Sequence, residues 1–122
     1  MCVFCEIIKN QNYFYENDYF VAFYDNYPVS KGHTIIIPKR HFETYFEMND
    51  DEVKWLNIAI FDLKDILDNE YHPTSYNIGT NAGIDAGQTV MHFHMHLIPR
   101  YKGDMDDPRG GVRGVIPSKQ KY

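Results

Sequence analysis

The sequence predicts an α+β domain in which a mostly antiparallel sheet is covered on one face by a long helix. Three observations carry this. A stretch with helical periodicity, Asp50 to about Asn69, lies between two groups of β-favouring runs. Thr89 to Pro99 alternates with a period of two, as a strand does. The 122 residues suffice for one hydrophobic core and are too few for two ordinary ones.

Tyr13 to Tyr15 and Tyr19 to Tyr24 read as short strands, separated by the turn-forming Glu16-Asn17-Asp18. Asn26-Tyr27-Pro28 and Ser30-Lys31-Gly32 punctuate a loop. Thr34-Ile35-Ile36-Ile37 is β-branched throughout and stops at Pro38, which fits a buried strand. In the helix, Val53, Leu56, Ile60, Leu63 and Leu67 form the apolar stripe, widened by Trp55, Ala59 and Ile66. The acidic Asn49-Asp50-Asp51-Glu52 suits its N-terminus, and His72-Pro73 ends it, with His72 read as a surface residue. Ser75 to Thr80 is a strand, Asn81 to Gln88 a loop with glycines at 83 and 87, and Thr89 to Pro99 the last strand. Lys102 to Tyr122 carries Pro108, Gly110-Gly111 and Pro117 without a helix or strand period, and reads as an extended arm lying on a surface.

Hydrophobic residues at 43% and aromatics at 16% provide a core without metals or disulfides and exclude a disordered chain. Twelve basic against 17 acidic residues give a net charge of −5, which argues against general affinity for nucleic acid or a membrane surface. The balance is uneven: residues 1–99 hold 6 basic and 14 acidic side chains, net −8, and residues 100–122 hold 6 and 3, net +3. No apolar run approaches the ~20 residues of a membrane span. MCVFCEIIKN lacks the basic region and apolar core of a signal peptide. A cytoplasmic location is expected, and Cys2 and Cys5 are not expected to form a structural disulfide there.

His92, His94 and His96 alternate within the last strand and so share one face, leaving Phe93, Met95 and Leu97 to face the helix. Such a row suits two chemistries: metal binding by three imidazoles, or covalent catalysis with one imidazole as nucleophile and the others on a transferred anion. Ala86-Gly87-Gln88-Thr89, just before the row, supplies a glycine turn, an amide and a hydroxyl, the groups a phosphate needs.

With that turn, His92-Phe93-His94-Met95-His96-Leu97-Ile98 resembles the signature of the histidine triad superfamily of nucleotide hydrolases and transferases. Further blocks match in the family's order: Phe4 with Ile7-Ile8, Ala22-Phe23-Tyr24-Asp25, Gly32-His33-Thr34 running into Ile37-Pro38-Lys39-Arg40-His41, Asn81-Ala82-Gly83, and Gly87-Gln88. The resemblance covers roughly residues 2–101. It implies a five-stranded antiparallel sheet with one long and one short helix, and a homodimer with a continuous ten-stranded sheet. It divides the chain into a catalytic domain, 1–102, and a C-terminal arm, 103–122.

The resemblance also implies roles. His94 would attack the α-phosphorus of a purine nucleotide derivative, and water would release the nucleoside monophosphate from the imidazole. His96 would contact the phosphate or the leaving-group oxygen. Gln88 and Thr89, a threonine where the family often has serine, would bind the α-phosphate, with His33 and Asn81 lining the phosphate side. Asp25 would take the ribose hydroxyls, although before Asn26 and Pro28 it also reads as a turn aspartate. Phe4, Ile7 and Phe23 would form the apolar slot for the base. Cys2 and Cys5 have the spacing of a metal knuckle, and His41 and His92 are the candidates to complete it. Similar relatives bind structural zinc through four such residues.

The expected function is hydrolysis at the α-phosphate of substrates such as diadenosine polyphosphates, nucleoside phosphoramidates or adenylylated metabolites. Alternatives are a purine-nucleotide-binding adaptor or sensor, and a metal-dependent hydrolase with His92, His94 and His96 as ligands. The acidic body disfavours nucleic-acid ends. Arg109 and Arg113 of the arm would serve the outer phosphates of a long substrate.

Overall fold

The computed structural model describes residues 2–122. Its elements are α1 (Val3–Lys9), β1 (Tyr15–Glu16), β2 (Phe20–Tyr24), β3 (Thr34–Pro38), α2 (Asp50–Tyr71), β4 (Ser75–Gly79) and β5 (Met95–Arg100), with four short 3-10 turns between and after them. The strands form one antiparallel sheet in the order β1-β2-β3-β5-β4. The fold is thus the expected five-stranded antiparallel sheet with one long and one short helix.

Alternation along the strands sends side chains to two cores. On one face Phe20, Ala22, Ile36, Phe93, Met95 and Leu97 meet Leu56, Ala59, Leu63 and Leu67 of α2. On the other, Val21, Ile35 and Ile37 meet Phe4, with Ile7, Ile8 and Phe23 packed around them. Both faces are therefore covered. Phe4, Ile7 and Ile8 recur at i, i+3 and i+4, but one such repeat is too short to announce a helix in sequence. Leu63 is fully buried, so Leu63→Ala should destabilise the fold by about 3 kcal/mol. Urea unfolding should show this as a lower midpoint at unchanged slope.

Helix α2 starts at Asn49, whose side chain accepts from the Glu52 N–H while Glu52 accepts from the Asn49 N–H. It runs to Tyr71, two residues beyond the expected end, and His72 closes it in the left-handed conformation at φ 54°. Val53, assigned to the apolar stripe, is exposed, whereas Glu52 is only 1% accessible. The Arg40 guanidinium binds both Glu52 oxygens, at 3.0 and 2.7 Å. Burial opposes the Glu52 charge, but Arg40 and the Asn49 N–H prevail and hold the carboxyl below its usual range. This pair ties the segment before His41 to the helix start.

Three other expectations need correction. The last strand begins at Met95 and not at Thr89. Its ladders run out: pairing with β3 ends at Ile36–Met95 and pairing with β4 at Gly79–His96, beyond which the Thr80 hydroxyl, at 2.7 Å, takes the His94 carbonyl. β1 occupies Tyr15–Glu16 and not Tyr13–Tyr15. The arm is not extended: Gly111–Val115 and Pro117–Lys119 form turns, and Arg113 donates to the Lys119 and Gln120 carbonyls while stacking on Tyr122. The fold-back depends on Gly110, at φ 86°, where a Cβ would collide with the Gln120 carbonyl.

Candidate functional site

The three histidines keep the alternation predicted for them, although only His96 lies in a regular strand. Each ring has a different partner, and the partners fix where each proton sits. His94 Nδ1 is 2.9 Å from the His92 carbonyl, which can only accept, so Nδ1 carries hydrogen and, in the neutral ring, Nε2 is the nitrogen with the lone pair. The ring is 8% accessible and stands edge-on to Phe4, with centroids 5.0 Å apart. Thr80, which the sequence reading passed over, anchors the carbonyl of this same residue. A lone threonine at a strand end carries no signal of that role.

His33 is buried, and its Nδ1 accepts from the Val29 N–H at 3.0 Å. Its Nε2 must then hold the proton, which it donates to His96 Nδ1 at 2.9 Å. His96 consequently carries its own hydrogen on Nε2, as a donor suited to a phosphate or leaving-group oxygen. Asp25 Oδ2 lies 3.5 Å from His33 Nε2, while Oδ1 accepts from the Tyr27 N–H. Asp25 is thus a turn aspartate with one oxygen, while the other faces the histidine cluster.

Burial disfavours the charged form of these rings. It lowers the pKa of His33 despite the opposing Asp25. Burial, together with His94 and His33, pushes His96 down to about 4 against the pull of Asp25. An unfolded histidine titrates near 6.5. At neutral pH the stability linked to His96 is therefore fully present. It is lost as pH falls from about 6.5 towards 4, because the unfolded chain then binds the proton that the folded chain refuses. We expect the melting temperature to fall between pH 7 and pH 5, and less steeply in His96→Gln than in the parent chain. Parallel curves would mean that His96 is not the buried neutral ring.

The loop before the triad uses glycine at two left-handed positions, Gly83 at φ 99° and Gly87 at φ 98°. The N–H groups of Gly87 and Gln88 bond to the Ile84 and Gly83 carbonyls inside the loop. Gln88 is buried: its Oε1 accepts from the Gly83 N–H, and its Nε2 donates to the Glu43 and Val90 carbonyls. Here the amide closes the loop. Thr89 remains exposed and Asn81 half-buried. Phe4 and Phe23 stand 5.6 Å apart beside Ile7, in the core on the His94 side of the sheet.

His92 is the most buried of the three, and its Nε2 donates to the Pro38 carbonyl at 3.0 Å. The Nδ1 lone pair faces Cys2 Sγ at 3.4 Å, Cys5 Sγ at 3.5 Å and His41 Nδ1 at 3.0 Å. Cys5 Sγ is 3.4 Å from His41 Nδ1, and all four ligand atoms lie within 4.8 Å of one another. A zinc tetrahedron with arms of ~2.0–2.3 Å has edges of ~3.3–3.8 Å, close to these spacings. Two thiols and two imidazoles, one of them buried with its lone pair turned inward, fit a metal ion. Burial and the neighbouring Cys2 raise the Cys5 thiol in the metal-free chain. Asp25, His33 and His96 also converge within 4.8 Å, but the tautomers above already link the two rings by a proton.

The HIT domain family model matches residues 8–103, and the chain belongs to that family. An uncharacterized HIT-like protein of Saccharolobus solfataricus is 34% identical over 125 residues, covering 100% of this chain and 90% of its own length. The crystal structure of a HIT family member from Bacillus subtilis superposes with a TM-score of 0.78 at 39% identity, covering 84% of this chain and 75% of that one. A zinc-bound histidine triad family protein from Mycobacterium smegmatis superposes with a TM-score of 0.78 at 31% identity, over 87% of this chain and 79% of that one. Two relatives bear names that state activities. Adenylylsulfatase HINT3 of Arabidopsis thaliana is 34% identical over 84% of this chain and 54% of its own length. The asymmetrical bis(5'-nucleosyl)-tetraphosphatase of Schizosaccharomyces pombe is 32% identical over 77% and 52%. At the level of the family, then, the chain is related to nucleotide hydrolases.

Proposed function

We propose that this chain hydrolyses adenine nucleotide derivatives at the α-phosphate through a covalent nucleotidyl-His94 intermediate. One observation carries the reading: the His92 carbonyl holds the His94 Nδ1–H, leaving Nε2 free as a neutral nucleophile. When Nε2 bonds phosphorus the ring becomes cationic, and its hydrogen bond to the carbonyl strengthens where the charge develops. The His33–His96 pair presents His96 Nε2–H to the phosphate or the departing oxygen. Exposed Thr89 offers its hydroxyl to the α-phosphate, Asp25 Oδ2 serves the ribose, and Phe4, Ile7 and Phe23 hold the base. Asn81 lines the phosphate side, and Gln88 acts by shaping the loop. The adenylylsulfatase and tetraphosphatase names of two relatives support an anhydride bond at a nucleotide phosphate as the target, and a phosphoramidate bond would offer the same α-phosphorus.

Cys2, Cys5, His41 and His92 would hold a structural zinc that fastens α1 to the segment leading into β5. His92 as a zinc ligand leaves the triad face to His94 and His96, which disfavours a hydrolytic metal on all three histidines. Residues 103–122 would form an arm beside the catalytic domain, 1–102. A second copy would pair along β4, an edge strand on which Ile78 is 46% exposed. The test is mass spectrometry of protein quenched while turning over diadenosine tetraphosphate, adenosine 5'-phosphosulfate and adenosine phosphoramidate. An adenylyl group on the peptide containing His94 is expected. Turnover without any adduct would favour direct attack by water.

A further inference from the structure

The bond that orients the nucleophile is local: the His94 Nδ1–H meets the carbonyl of His92, two residues earlier, at 2.9 Å. It fixes the ring against its own backbone and does not fix that backbone against the sheet. For His96 the ladders do this, since it pairs with Ile35 of β3 and Gly79 of β4. His94 precedes β5 and has neither partner.

Three long-range bonds stand in for the ladders. On the β3 side the His92 Nε2–H donates to the Pro38 carbonyl at 3.0 Å, and the Phe93 N–H to the Phe42 carbonyl at 2.7 Å. On the β4 side the Thr80 hydroxyl donates to the His94 carbonyl at 2.7 Å. Of the three, this is the bond that ends on His94 itself. Thr80 is well placed to hold it. It directly follows Gly79, which the last β4–β5 pair fixes opposite His96, and its branched side chain is stiff at χ1.

The position of His94 matters because attack needs Nε2 within ~3–3.5 Å of phosphorus and in line, and a misplacement of ~1 Å can cost ~100-fold in rate. Ring and backbone of His94 move together through the bond to the His92 carbonyl. An anchor on the His94 peptide is therefore an anchor on Nε2.

We propose that Thr80 is a positioning residue for the transfer step: its hydroxyl fixes the His94 peptide, and through it Nε2, at the distance from the α-phosphorus that attack requires. In that step the Nε2–P bond forms as the bond from phosphorus to the leaving group breaks, and the leaving group departs with the electron pair of the broken bond. The proposal rests on the nucleotidyl-His94 reading and adds to it a residue that acts through another.

The test is the single-turnover rate of His94 adenylylation, read by mass spectrometry of quenched samples, beside calorimetric titration with AMP. The substrate is diadenosine tetraphosphate, adenosine 5'-phosphosulfate or adenosine phosphoramidate, whichever the parent chain turns over fastest. Thr80→Val, of nearly the same shape but without the donor, should slow adenylylation about tenfold, as expected for one lost hydrogen bond, and change AMP affinity by less than about threefold. Thr80→Ser keeps the hydroxyl and should recover the parent rate to within about threefold. If the valine chain does not fold, Thr80→Ala takes its place with the same expected loss. A purely structural role predicts a lower melting temperature with an unchanged rate per folded chain, and that result overturns the proposal. Equal losses in the serine and valine variants overturn it too, as does an AMP affinity that falls as far as the rate. No adduct on His94 of the parent chain with any of the three substrates would overturn the nucleotidyl-His94 reading and this proposal together.

Discussion

Replacing His94 by alanine should lower the hydrolysis of an adenosine phosphoramidate by at least about a thousandfold, while the affinity for AMP changes by less than about threefold. The asymmetry follows from the geometry. The His94 ring bonds to the His92 carbonyl and meets the proposed base slot only edge-on, at Phe4, whose ring also packs on Phe23 and in the core with Val21, Ile35 and Ile37. The substitution removes the atom that bonds phosphorus and leaves the groups proposed for base and ribose in place. Single-turnover rates and calorimetry on the same preparation measure both quantities. A tenth of the parent rate would move the nucleophile elsewhere, and a matching collapse of AMP affinity would recast His94 as a binding residue. An adaptor with vestigial hydrolysis would show slow parent turnover that His94→Ala scarcely lowers.

How legible all this was in the sequence depends on the range of the interactions. Alternation at Phe93, Met95 and Leu97 is a local property, and it sorted the two faces correctly. The start of β5 was hidden because it is set by Ile36 and Gly79, residues far away in the chain at which its two ladders end. Helical periodicity marked α2 but misjudged its first turn. A stripe of apolar residues cannot announce that Glu52 is buried, since that depends on Arg40 arriving from the other side of a loop. The motif blocks identified His33 and His96, but only the folded chain shows that one ring donates to the other. Gln88 is the instructive case. Its residue type promised a phosphate ligand, whereas both Nε2 hydrogens are engaged by backbone carbonyls that the loop brings within reach. The arm escaped prediction for a similar reason, because its fold-back depends on contacts between Gly110 and Gln120 and has no period.

Metal removal should have the second large effect. Protein purified without chelators is expected to carry about one zinc per chain, with X-ray absorption showing two sulfur and two nitrogen ligands. Cys5→Ser should lose the metal and lower the melting temperature by more than about 10 °C, since even a few kcal/mol shifts a domain of this size that far. The reason lies in the position of the four residues. Cys2 caps α1, Cys5 lies in its first turn, His41 follows β3, and His92 precedes β5. Without a shared ion, the tie between α1 and the sheet rests on the small core of Phe4, Val21, Ile35 and Ile37. The buried His92 Nδ1 would then face two thiols and a second imidazole at 3.0 Å, with no charge to organise them. Activity at 25 °C should fall less than stability, because the His92 carbonyl that orients His94 belongs to a segment also fixed, without the ion, by the His92 Nε2–H on the Pro38 carbonyl. Elemental analysis showing no zinc, together with an unchanged melting temperature in Cys5→Ser, would strip Cys2, Cys5, His41 and His92 of this role. His92 would then return to the catalytic face beside His94.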